Sequence, residues 1–501
     1  MPNIDPDFTA LPLQALADVA LSRAAELGAE HADFRLERLR GVDLRLRDGR
    51  LDSNGDAQEV GFGVRVVVDG SWGFAAGVDL TPAEVRRVAE RAVAVAGVSA
   101  PMNSERVQLA DEPVYPDATW CSPYEVDPFE VPDPDRVGLL TEWSERLLAA
   151  DGVDHVDAFL RLRRENKFYA DLAGTRTTQQ RVRVFPELTA VTIDAANGAF
   201  ESMRTCGPGV AAGWEHLTGG GWDWDAELAQ LPEWLAEKAK APSVEPGSYD
   251  VVIDPTNLWL TIHESVGHAT ELDRALGYEA NYAGTSFATF DRLNTLRYGS
   301  ELMNVTGDRT VDGGLATTGY DDEGVRTQSW DIVRDGVLVG YQLDRRVARL
   351  SDLGRSNGCA YADSPGHIPI QRMANVSLKA APDGPSTEGL ISGVERGIYI
   401  VGDNSFSIDM QRYNFQFTGQ RFFEIRGGRI VGQLRDVAYQ ATTTEFWGSL
   451  AALGGPQTYL LSGSFNCGKG QPGQGAPVSH GCPATLFTGI NILNTAREAG
   501  R

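Results

Sequence analysis

Cysteine and histidine are scarce in this sequence, with five and seven copies among 501 residues. The five cysteines are odd in number and scattered, so a framework of disulfide bonds is not expected. No uninterrupted apolar stretch approaches the ~20 residues that a membrane-spanning helix requires. The N-terminal segment lacks the basic part and the apolar run of a secretory signal. We therefore expect a cytoplasmic protein with reduced thiols and no membrane partner.

Basic side chains are also in deficit, because 45 lysines and arginines stand against 69 aspartates and glutamates. The formal net charge of −24 would repel nucleic acids, and no block rich in lysine or arginine offsets it. Nucleic acid is therefore not an expected partner. Apolar residues make up 42% of the chain, which suffices at this length for two or three domains with their own cores.

The first part of the chain, residues 1–243, alternates between helical and strand-like patterns. Helical periodicity occurs at residues 11–27, 81–96, 136–150 and 222–239, and strand-like alternation at 32–40, 42–51, 59–76, 156–163, 166–172 and 175–184. Residues 101–135 are rich in proline and acidic residues and predict a long linker. Together these patterns predict an N-terminal α/β domain with a mainly antiparallel sheet and helices on one face.

A helix followed by hairpin-forming strands occurs twice, in residues 1–100 and again in residues 136–240. A degenerate internal duplication would explain this order. Alternating arginine and leucine residues are also common in any sheet that has one face in solvent. The similarity of the two segments could therefore arise without a duplication, and this second explanation stays open.

A breaker at Pro242–Gly247 predicts the boundary to a C-terminal domain, residues 244–501. Beyond Gly277 this part is rich in glycine and short strand-like segments. Such a composition is typical of a large curved or barrel-like antiparallel sheet. We expect the sheet to wrap around a metal-binding helix, which makes the whole protein α+β.

That helix lies in the stretch Val251–Gly277, which has the pattern of a buried strand followed directly by a helix. Asp254 is a favourable N-cap, and Pro255 occupies the first helical position, where no N–H is needed. Gly277 is placed to end the helix.

The same helix carries the sequence His-Glu-Ser-Val-Gly-His from His263 to His268. Two imidazoles that bracket a carboxylate are the components of a hydrolytic zinc site, with Glu264 as general base. A spacing of five leaves the two side chains about 140° apart on a regular α-helix, too divergent for one metal ion. One π-turn would bring the second ring back. We therefore predict a widened turn at Ser265–His268, where Gly267 tolerates distortion at the least cost.

A catalytic zinc ion needs a third protein ligand and leaves a fourth position for water. The candidates are Glu271, Asp273, Cys359, His367, Cys467, His480 and Cys482. Cys467 has the most favourable surroundings, because small residues flank it and Lys469 would favour its thiolate. Glu271 could equally orient a ligand without touching the metal. Any one cysteine could instead be a small buried hydrophobic residue.

Five motifs in the second half of the chain belong together. They are H-E-S-V-G-H-A-T-E-L-D from His263, D-D-E-G at Asp321–Gly324, G-Y-Q-L-D-R at Gly340–Arg345, H-I-P-I-Q-R-M-A-N at His367–Asn375 and N-C-G-K-G-Q at Asn466–Gln471. This set resembles the TldD/PmbA family of metalloproteases, and in particular its TldD-like subunits. The resemblance is specific from about residue 251 onwards and only architectural before it.

The resemblance implies zinc (Zn²⁺) held by His263, His268 and Cys467, with Glu264 as the base that activates water. It also implies a substrate-binding or supporting role for His367. The implied subunits have two domains and pair around a chamber that admits only unfolded or flexible peptides. The partner would be a TldE (PmbA)-like paralogue or a second copy of the chain.

Two residues depart from the family pattern, His480 and Cys482, which either pack or compete for the metal. The expected function is that of a zinc metallopeptidase, and the alternative is a catalytically silent peptide-binding or scaffold subunit. Dipeptidyl peptidase III shares the spacing of the histidines, but its second motif, of the type E-E-x-R, does not occur in this sequence.

Overall fold

The computed structural model describes residues 3–194, 200–470 and 472–498. Gln471, the last residue of the fifth motif, lies outside the described residues. Within the described ranges, no helix is long and apolar enough to cross a membrane.

The first half of the chain forms helices and long strands. Its helices are α1 Pro6–Thr9, α2 Leu13–Glu26, α3 Pro82–Ser99, α4 Asp133–Leu148, α5 Glu215–Thr218 and α6 Trp224–Lys240. Its strands are β1 His31–Arg47, β2 Arg50–Val68, β3 Ser71–Gly77, β4 Ala118–Cys121, β5 His155–Asp171, β6 Arg176–Ile193 and β7 Phe200–Arg204.

The second half has short helices and many strands. Its helices are α7 Pro255–Ile262, α8 Leu272–Ala275, α9 Arg345–Leu350, α10 Thr387–Ser392, α11 Thr443–Gly448 and α12 Thr495–Glu498. Its strands are β8 Gly247–Ile253, β9 Val305–Asp308, β10 Ser329–Arg334, β11 Val337–Leu338, β12 Ala360–Tyr361, β13 Ile370–Gln371, β14 Asn375–Leu378, β15 Arg396–Ile408, β16 Asn414–Arg426, β17 Arg429–Leu434, β18 Val437–Thr442, β19 Leu450–Leu453, β20 Leu460–Lys469, β21 Gln474–Cys482 and β22 Thr485–Asn494.

The N-terminal strands form one sheet in the order β3-β2-β1-β5-β6-β4, with β7 added to β6. Alternate residues of β1, such as Phe34 and Leu44, point to the same face and enter two apolar cores. Helices α2 and α3 cover one of these cores, and α4 and α6 cover the other. The predicted antiparallel sheet with helices on one face is confirmed.

Two predicted strand breaks in this sheet are wrong. Residues 32–40 and 42–51 were expected to be separate strands, but β1 continues through Gly41 to Arg47. Gly41 makes no turn in this strand, and a Cβ there would come within 2.9 Å of the guanidinium end of the flexible Arg163 side chain. Residues 156–163 and 166–172 likewise form the single strand β5. The duplication of helix and hairpin stays a prediction.

The other face of this sheet carries charged residues, and the part of it that holds Arg35, Arg65 and Lys167 does not face solvent. It is buried against the second half of the chain, where Lys167 Nζ donates to Asp322 Oδ2 at 2.7 Å and Arg65 Nη1 donates to Glu323 Oε1 at 2.8 Å. The D-D-E-G motif therefore joins the two halves of the protein. The arginine–leucine alternation itself lies beyond this buried part, where Arg45 and Arg47 are exposed, so its explanation by a solvent-facing sheet stays open beside the duplication.

The second half is built around a closed barrel. Strands β15, β8, β22, β18 and β16 pair in this order, and β16 pairs back to β15. All of these pairings are antiparallel except β8 with β15. The expected barrel-like sheet and the α+β class are confirmed, whereas the domain boundary near residue 243 stays a prediction.

Glu165 lies at the centre of the buried charged face and allows a test of it. Its carboxylate pairs with Arg181 and Arg183 and accepts a hydrogen bond from Tyr361 at 2.8 Å. Burial alone would raise the pKa of Glu165, but the two guanidinium groups hold it well below its usual value.

We predict that Glu165→Gln lowers the free energy of unfolding at pH 7 by about 3–5 kcal/mol, because two buried guanidinium groups lose their counter-charge. Since the folded-state pKa is depressed, this stabilisation is present above about pH 4 and is lost as the pH falls further. Denaturant unfolding from pH 7 to pH 3 should therefore show the difference between wild type and variant shrinking with acid. Glu301→Gln, at an exposed position, is the control. A difference that does not depend on pH would contradict the assignment.

Candidate metal centre

The polypeptide reaches the centre through β8 and α7. The Asp254 side chain caps α7 by accepting a hydrogen bond from the Thr256 N–H at 3.0 Å, and Pro255 is the first helical residue, as predicted. All eight residues of α7 are buried. The helix is held in place by Asn257, whose side-chain amide donates to the carbonyl oxygens of Gly402 and Thr418, each at 2.9 Å.

After Ile262 the helix widens into a π-helical turn, His263–Gly267. The N–H of His268 donates to the carbonyl oxygen of His263, five residues earlier. This hydrogen bond brings the two imidazole rings together, with centroids 4.7 Å apart and an angle of 75° between their planes. The predicted widened turn is confirmed, although it begins two residues earlier than expected.

The helix does not continue to Gly277, which corrects the prediction of a single helix. A 3₁₀ turn, His268–Thr270, follows the π-turn, and Glu271 is extended, with φ −71° and ψ 115°. The backbone of Glu271 forms a bridge with Gln342, and only the short helix α8 follows. The change of conformation directs the Glu271 carboxylate back towards His268.

The widened turn exposes backbone carbonyl groups that other elements satisfy. Tyr298 donates its hydroxyl to the carbonyl oxygen of Ser265 at 2.5 Å. The side-chain amide of Gln342 donates to the carbonyl oxygen of Gly267 at 2.7 Å and accepts from the Ala374 N–H, also at 2.7 Å. Because unpaired buried carbonyl groups are costly, these contacts stabilise the turn.

Gly267 has a different role from the one expected. Its φ of −54° is an ordinary helical value, so backbone freedom is not what this position requires. A Cβ here would come within 2.5 Å of Met373 Sδ, and Met373 is itself buried. The glycine therefore provides room for a neighbouring side chain.

Three side chains of the predicted ligand set converge beside this turn. One nitrogen each of His263 and His268 and the Sγ atom of Cys467 all lie within 4.8 Å of one another, and all three residues are buried. Cys467 lies on β20, where the pairing with β21 is irregular between Ser464 and Cys467. Its Sγ atom lies 3.6 Å from His268 Nε2.

The protonation states of these groups suit metal binding. Burial lowers the pKa values of His263 and His268, which favours the neutral rings that a metal ion needs. Burial would raise the pKa of the Cys467 thiol, but His268 and Arg372 lower it below its usual value. By contrast, burial raises the pKa of Cys359 to about 12 and that of Cys482 well above its usual value. Of the three buried cysteines, Cys467 is the one prepared to act as a thiolate.

Glu271 supports a ligand in this geometry. Its Oε2 atom lies 2.8 Å from His268 Nδ1, which leaves Nε2 of that ring directed at Cys467. Its Oε1 atom accepts a hydrogen bond from the buried Lys469 at 3.2 Å. Burial alone would raise the pKa of Glu271, but Lys469 and His268 hold it well below its usual value. The carboxylate is therefore ionised and fixes the orientation of the His268 ring.

Lys469 is also the partner of Asp273, at 2.8 Å, and of Gln371. Asp273, one of the candidate third ligands, is thus engaged away from the cluster. Lys469 was expected to favour the Cys467 thiolate, and its described polar contacts are with the carboxylates of Glu271, Asp273 and Glu279 and with the Gln371 amide.

Glu264, the predicted general base, is buried and forms an ion pair with Arg412. Arg412 lies in the turn between β15 and β16 and has a left-handed φ of +63°. No motif in the sequence predicted this arginine. It lies 148 positions after Glu264, and the two side chains meet only because the barrel brings them together.

His367 is the predicted site residue with the weakest connection to the cluster. Its ring is partly exposed and its Nδ1 atom lies 2.6 Å from Asp363 Oδ1. Its carbonyl oxygen accepts a hydrogen bond from Arg35 of the N-terminal sheet. Its role in substrate binding or support stays a prediction.

His480, in contrast, lies against the cluster. Its ring is fully buried, and its Nε2 atom lies 2.7 Å from His263 Nδ1. Cys482 packs close by, with Sγ 3.8 Å from the carbonyl oxygen of Pro255.

A cleft of about 200 Å³ lies beside β20. Trp259 lines it, and the ring of this tryptophan lies 6.3 Å from that of His263. Ser462 and Asn466 form the β20 wall, and Phe185 and Arg204 of the N-terminal sheet form the opposite wall. Among the residues that the structure describes, β20 pairs only with β21, so no further strand covers its second edge.

The chain matches two family models. Residues 246–494 match the PmbA/TldA metallopeptidase C-terminal domain, and residues 32–96 match PmbA/TldA metallopeptidase domain 1.

Relatives of similar length carry protease names. A metalloprotease of Methanothermobacter thermautotrophicus is 28% identical over 91% of this chain and 93% of its own. A zinc metalloprotease TldD homologue of Saccharolobus solfataricus is 22% identical over 92% of this chain and 96% of its own. The crystal structure of TldE from Thermococcus kodakarensis has the same fold, with a TM-score of 0.70 and 14% identity over 95% of this chain and 99% of that one.

We predict that Gln342→Leu lowers the free energy of unfolding by about 2–5 kcal/mol, because it leaves the Gly267 carbonyl and the Ala374 N–H buried without partners. Urea denaturation followed by tryptophan fluorescence measures the change. Gln14→Leu is the matched control, since Gln14 is exposed on α2 and bonds only Asp18, one turn away. Equal stability of the two variants would contradict the role of Gln342 in holding the π-turn.

Proposed function

The chain belongs to the PmbA/TldD family of metallopeptidases, and on this premise we propose that it is a zinc-dependent peptidase that cleaves unfolded or flexible peptides. The observation that carries the proposal is the convergence of His263, His268 and Cys467 beside Glu264. The protease names of the full-length relatives support the class of reaction.

The donor set fits zinc. Two neutral imidazoles and one thiolate, each held by a different hydrogen-bonding or charged environment, leave a fourth position for water or substrate. A zinc ion bound here would act as a Lewis acid towards the scissile carbonyl and would lower the pKa of a water molecule. The carboxylate of Glu271 and the ring of His480 hold the two histidines in place for this purpose.

Glu264 is the proposed general base. Glu264 follows His263 in the sequence, and the ion pair with Arg412 fixes the position of its carboxylate. In the reaction, Glu264 would accept a proton from the attacking water and deliver it to the departing amine.

The proposed substrate site is the cleft beside β20. An extended peptide placed there would add to the edge of β20 as a further strand, with the N-terminal sheet as the opposite wall. Pairing through backbone groups makes few demands on side chains, so selectivity would come mainly from whether a segment is flexible enough to enter.

The proposed assembly is a dimer that encloses this cleft in a chamber, with a TldE/PmbA-like paralogue or with a second copy of the chain. The likeness to a TldE structure over nearly the whole length supports a pairing of similar subunits. A cytoplasmic location remains a prediction from the sequence.

The alternative function is a silent subunit that binds peptide without cleaving it. The ion pair between Glu264 and Arg412 is the observation that favours it, since this carboxylate is already engaged by a guanidinium group and is not free to contact a water molecule. The two functions differ in a direct assay, because a silent subunit would bind an unstructured peptide and leave it intact.

We predict that Cys467→Ala loses bound zinc, because two imidazoles alone do not complete a catalytic site. Metal analysis of the purified protein, at one zinc per wild-type chain, gives the measurement. Cys359→Ala is the control, since it removes an equally buried thiol whose pKa is raised. Undiminished zinc in the Cys467 variant would remove this residue from the ligand set.

We predict that Glu264→Gln retains zinc and lowers the rate of cleavage of an unstructured peptide by about 10²–10⁴-fold, because glutamine cannot accept the proton. Metal content and the initial rate of cleavage are measured on the same preparation. A variant as active as the wild type would exclude Glu264 as the base.

We predict that affinity purification from the native cell recovers either an equimolar homologous subunit without the His-Glu-Ser-Val-Gly-His motif or a dimer of this chain. Mass spectrometry and light scattering distinguish the two. A monomer without a stoichiometric partner would contradict the chamber.

A further inference from the structure

His263 can bind a metal ion only through its Nε2 atom. Its Nδ1 atom is occupied by the contact with His480 Nε2, at 2.7 Å. To bind through Nε2, a neutral imidazole must carry its proton on Nδ1. His263 therefore needs a hydrogen-bond acceptor at Nδ1, and the neighbour at that position is another histidine, whose own protonation decides whether it can accept.

The contact of the other nitrogen of His480 determines where the proton of this ring lies. His480 Nδ1 lies 2.8 Å from the carbonyl oxygen of Val376, on β14. A carbonyl oxygen can only accept, so the proton of a neutral His480 ring is on Nδ1. Its Nε2 atom then carries a lone pair and accepts the proton of His263 Nδ1. The backbone of Val376 thus determines, through two rings, which nitrogen of His263 faces the cluster.

The surroundings hold the ring of His480 in place. His480 is fully buried, and the ring of Trp259 stacks over it with centroids 6.3 Å apart and an angle of 9° between the planes. Its place on β21 is held by the Gly481 N–H, which donates to Ser377 Oγ at 2.9 Å, next to Val376. The ring is therefore fixed in position and orientation.

From these contacts we propose that His480 is a positioning residue, which accepts the proton of His263 Nδ1 and so presents the lone pair of His263 Nε2 to the metal. The two ligand histidines are then supported unequally, since His268 donates to the carboxylate of Glu271 and His263 donates to a neutral imidazole. This inference rests on the proposed zinc site and adds to it a residue that touches neither the metal nor the substrate.

Two substitutions of His480 distinguish its role as a hydrogen-bond acceptor from a role that only fills space. In His480→Gln, the side-chain oxygen can replace Nε2 and accept from His263. In His480→Asn, the amide nitrogen can replace Nδ1 and still donate to Val376, but no acceptor reaches His263. We expect the dissociation constant for zinc to rise about 10–100-fold in the asparagine variant and to stay within about threefold of wild type in the glutamine variant.

The dissociation constant is measured by competition with a chromophoric chelator at pH 7.5, and thermal unfolding checks the fold of each variant. His216→Asn is the matched control, because His216 is also buried and bonds a backbone carbonyl, that of Pro208 at 2.9 Å, away from the cluster. It should bind zinc as the wild type does.

The proposal is overturned if the asparagine variant binds zinc as tightly as the wild type, or if the glutamine variant folds and loses as much affinity as the asparagine variant. Should the asparagine variant not fold, retention of zinc by the glutamine variant supports the proposal and loss of zinc overturns it. A wild-type protein without zinc affinity would overturn the proposed function as well. Wild-type affinity with an unaffected asparagine variant would overturn this inference alone.

Discussion

A single backbone hydrogen bond, from the His268 N–H to the His263 carbonyl, makes the candidate metal site geometrically feasible. Histidines five residues apart diverge on an α-helix, and this bond replaces one α-helical turn with a π-turn that brings both rings to one side. This π-turn depends on residues that are distant in the sequence. Tyr298 and Gln342 donate hydrogen bonds to carbonyl oxygens that a regular α-helix would have paired within the helix. Residues from distant parts of the second half of the chain thus stabilise the π-helical conformation of His263–Gly267.

The N-terminal sheet contributes to the same centre from outside. Its buried polar face meets the D-D-E-G motif through Lys167 and Arg65, and its far end supplies one wall of the cleft beside β20. A charged face buried between two halves gives few apolar contacts but many directional ones, so it sets the relative position of the cleft walls. The candidate substrate site therefore depends on the pairing of the two halves as well as on the barrel.

Local patterns in the sequence were sufficient for the helix cap at Asp254, the widened turn and the antiparallel class of both sheets, because each follows from spacing within a few residues. They failed where tertiary packing decides. Gly41 suggested a break between two strands, but β1 continues through it, and the side chain of Arg163 lies over it. Arg412 and His480 approach the histidine motif only through barrel closure and the β20–β21 hairpin, and no short-range pattern reports such pairings.

The central claim is that His263, His268 and Cys467 share one zinc ion. Anomalous diffraction from crystals of the wild-type protein, recorded on both sides of the zinc absorption edge, tests it most directly. The account predicts one strong edge-specific peak per chain, within bonding distance of His263 Nε2, His268 Nε2 and Cys467 Sγ, and separate from His480. A zinc-loaded protein whose peak lies elsewhere, or is bound by His480 in place of Cys467, would contradict it.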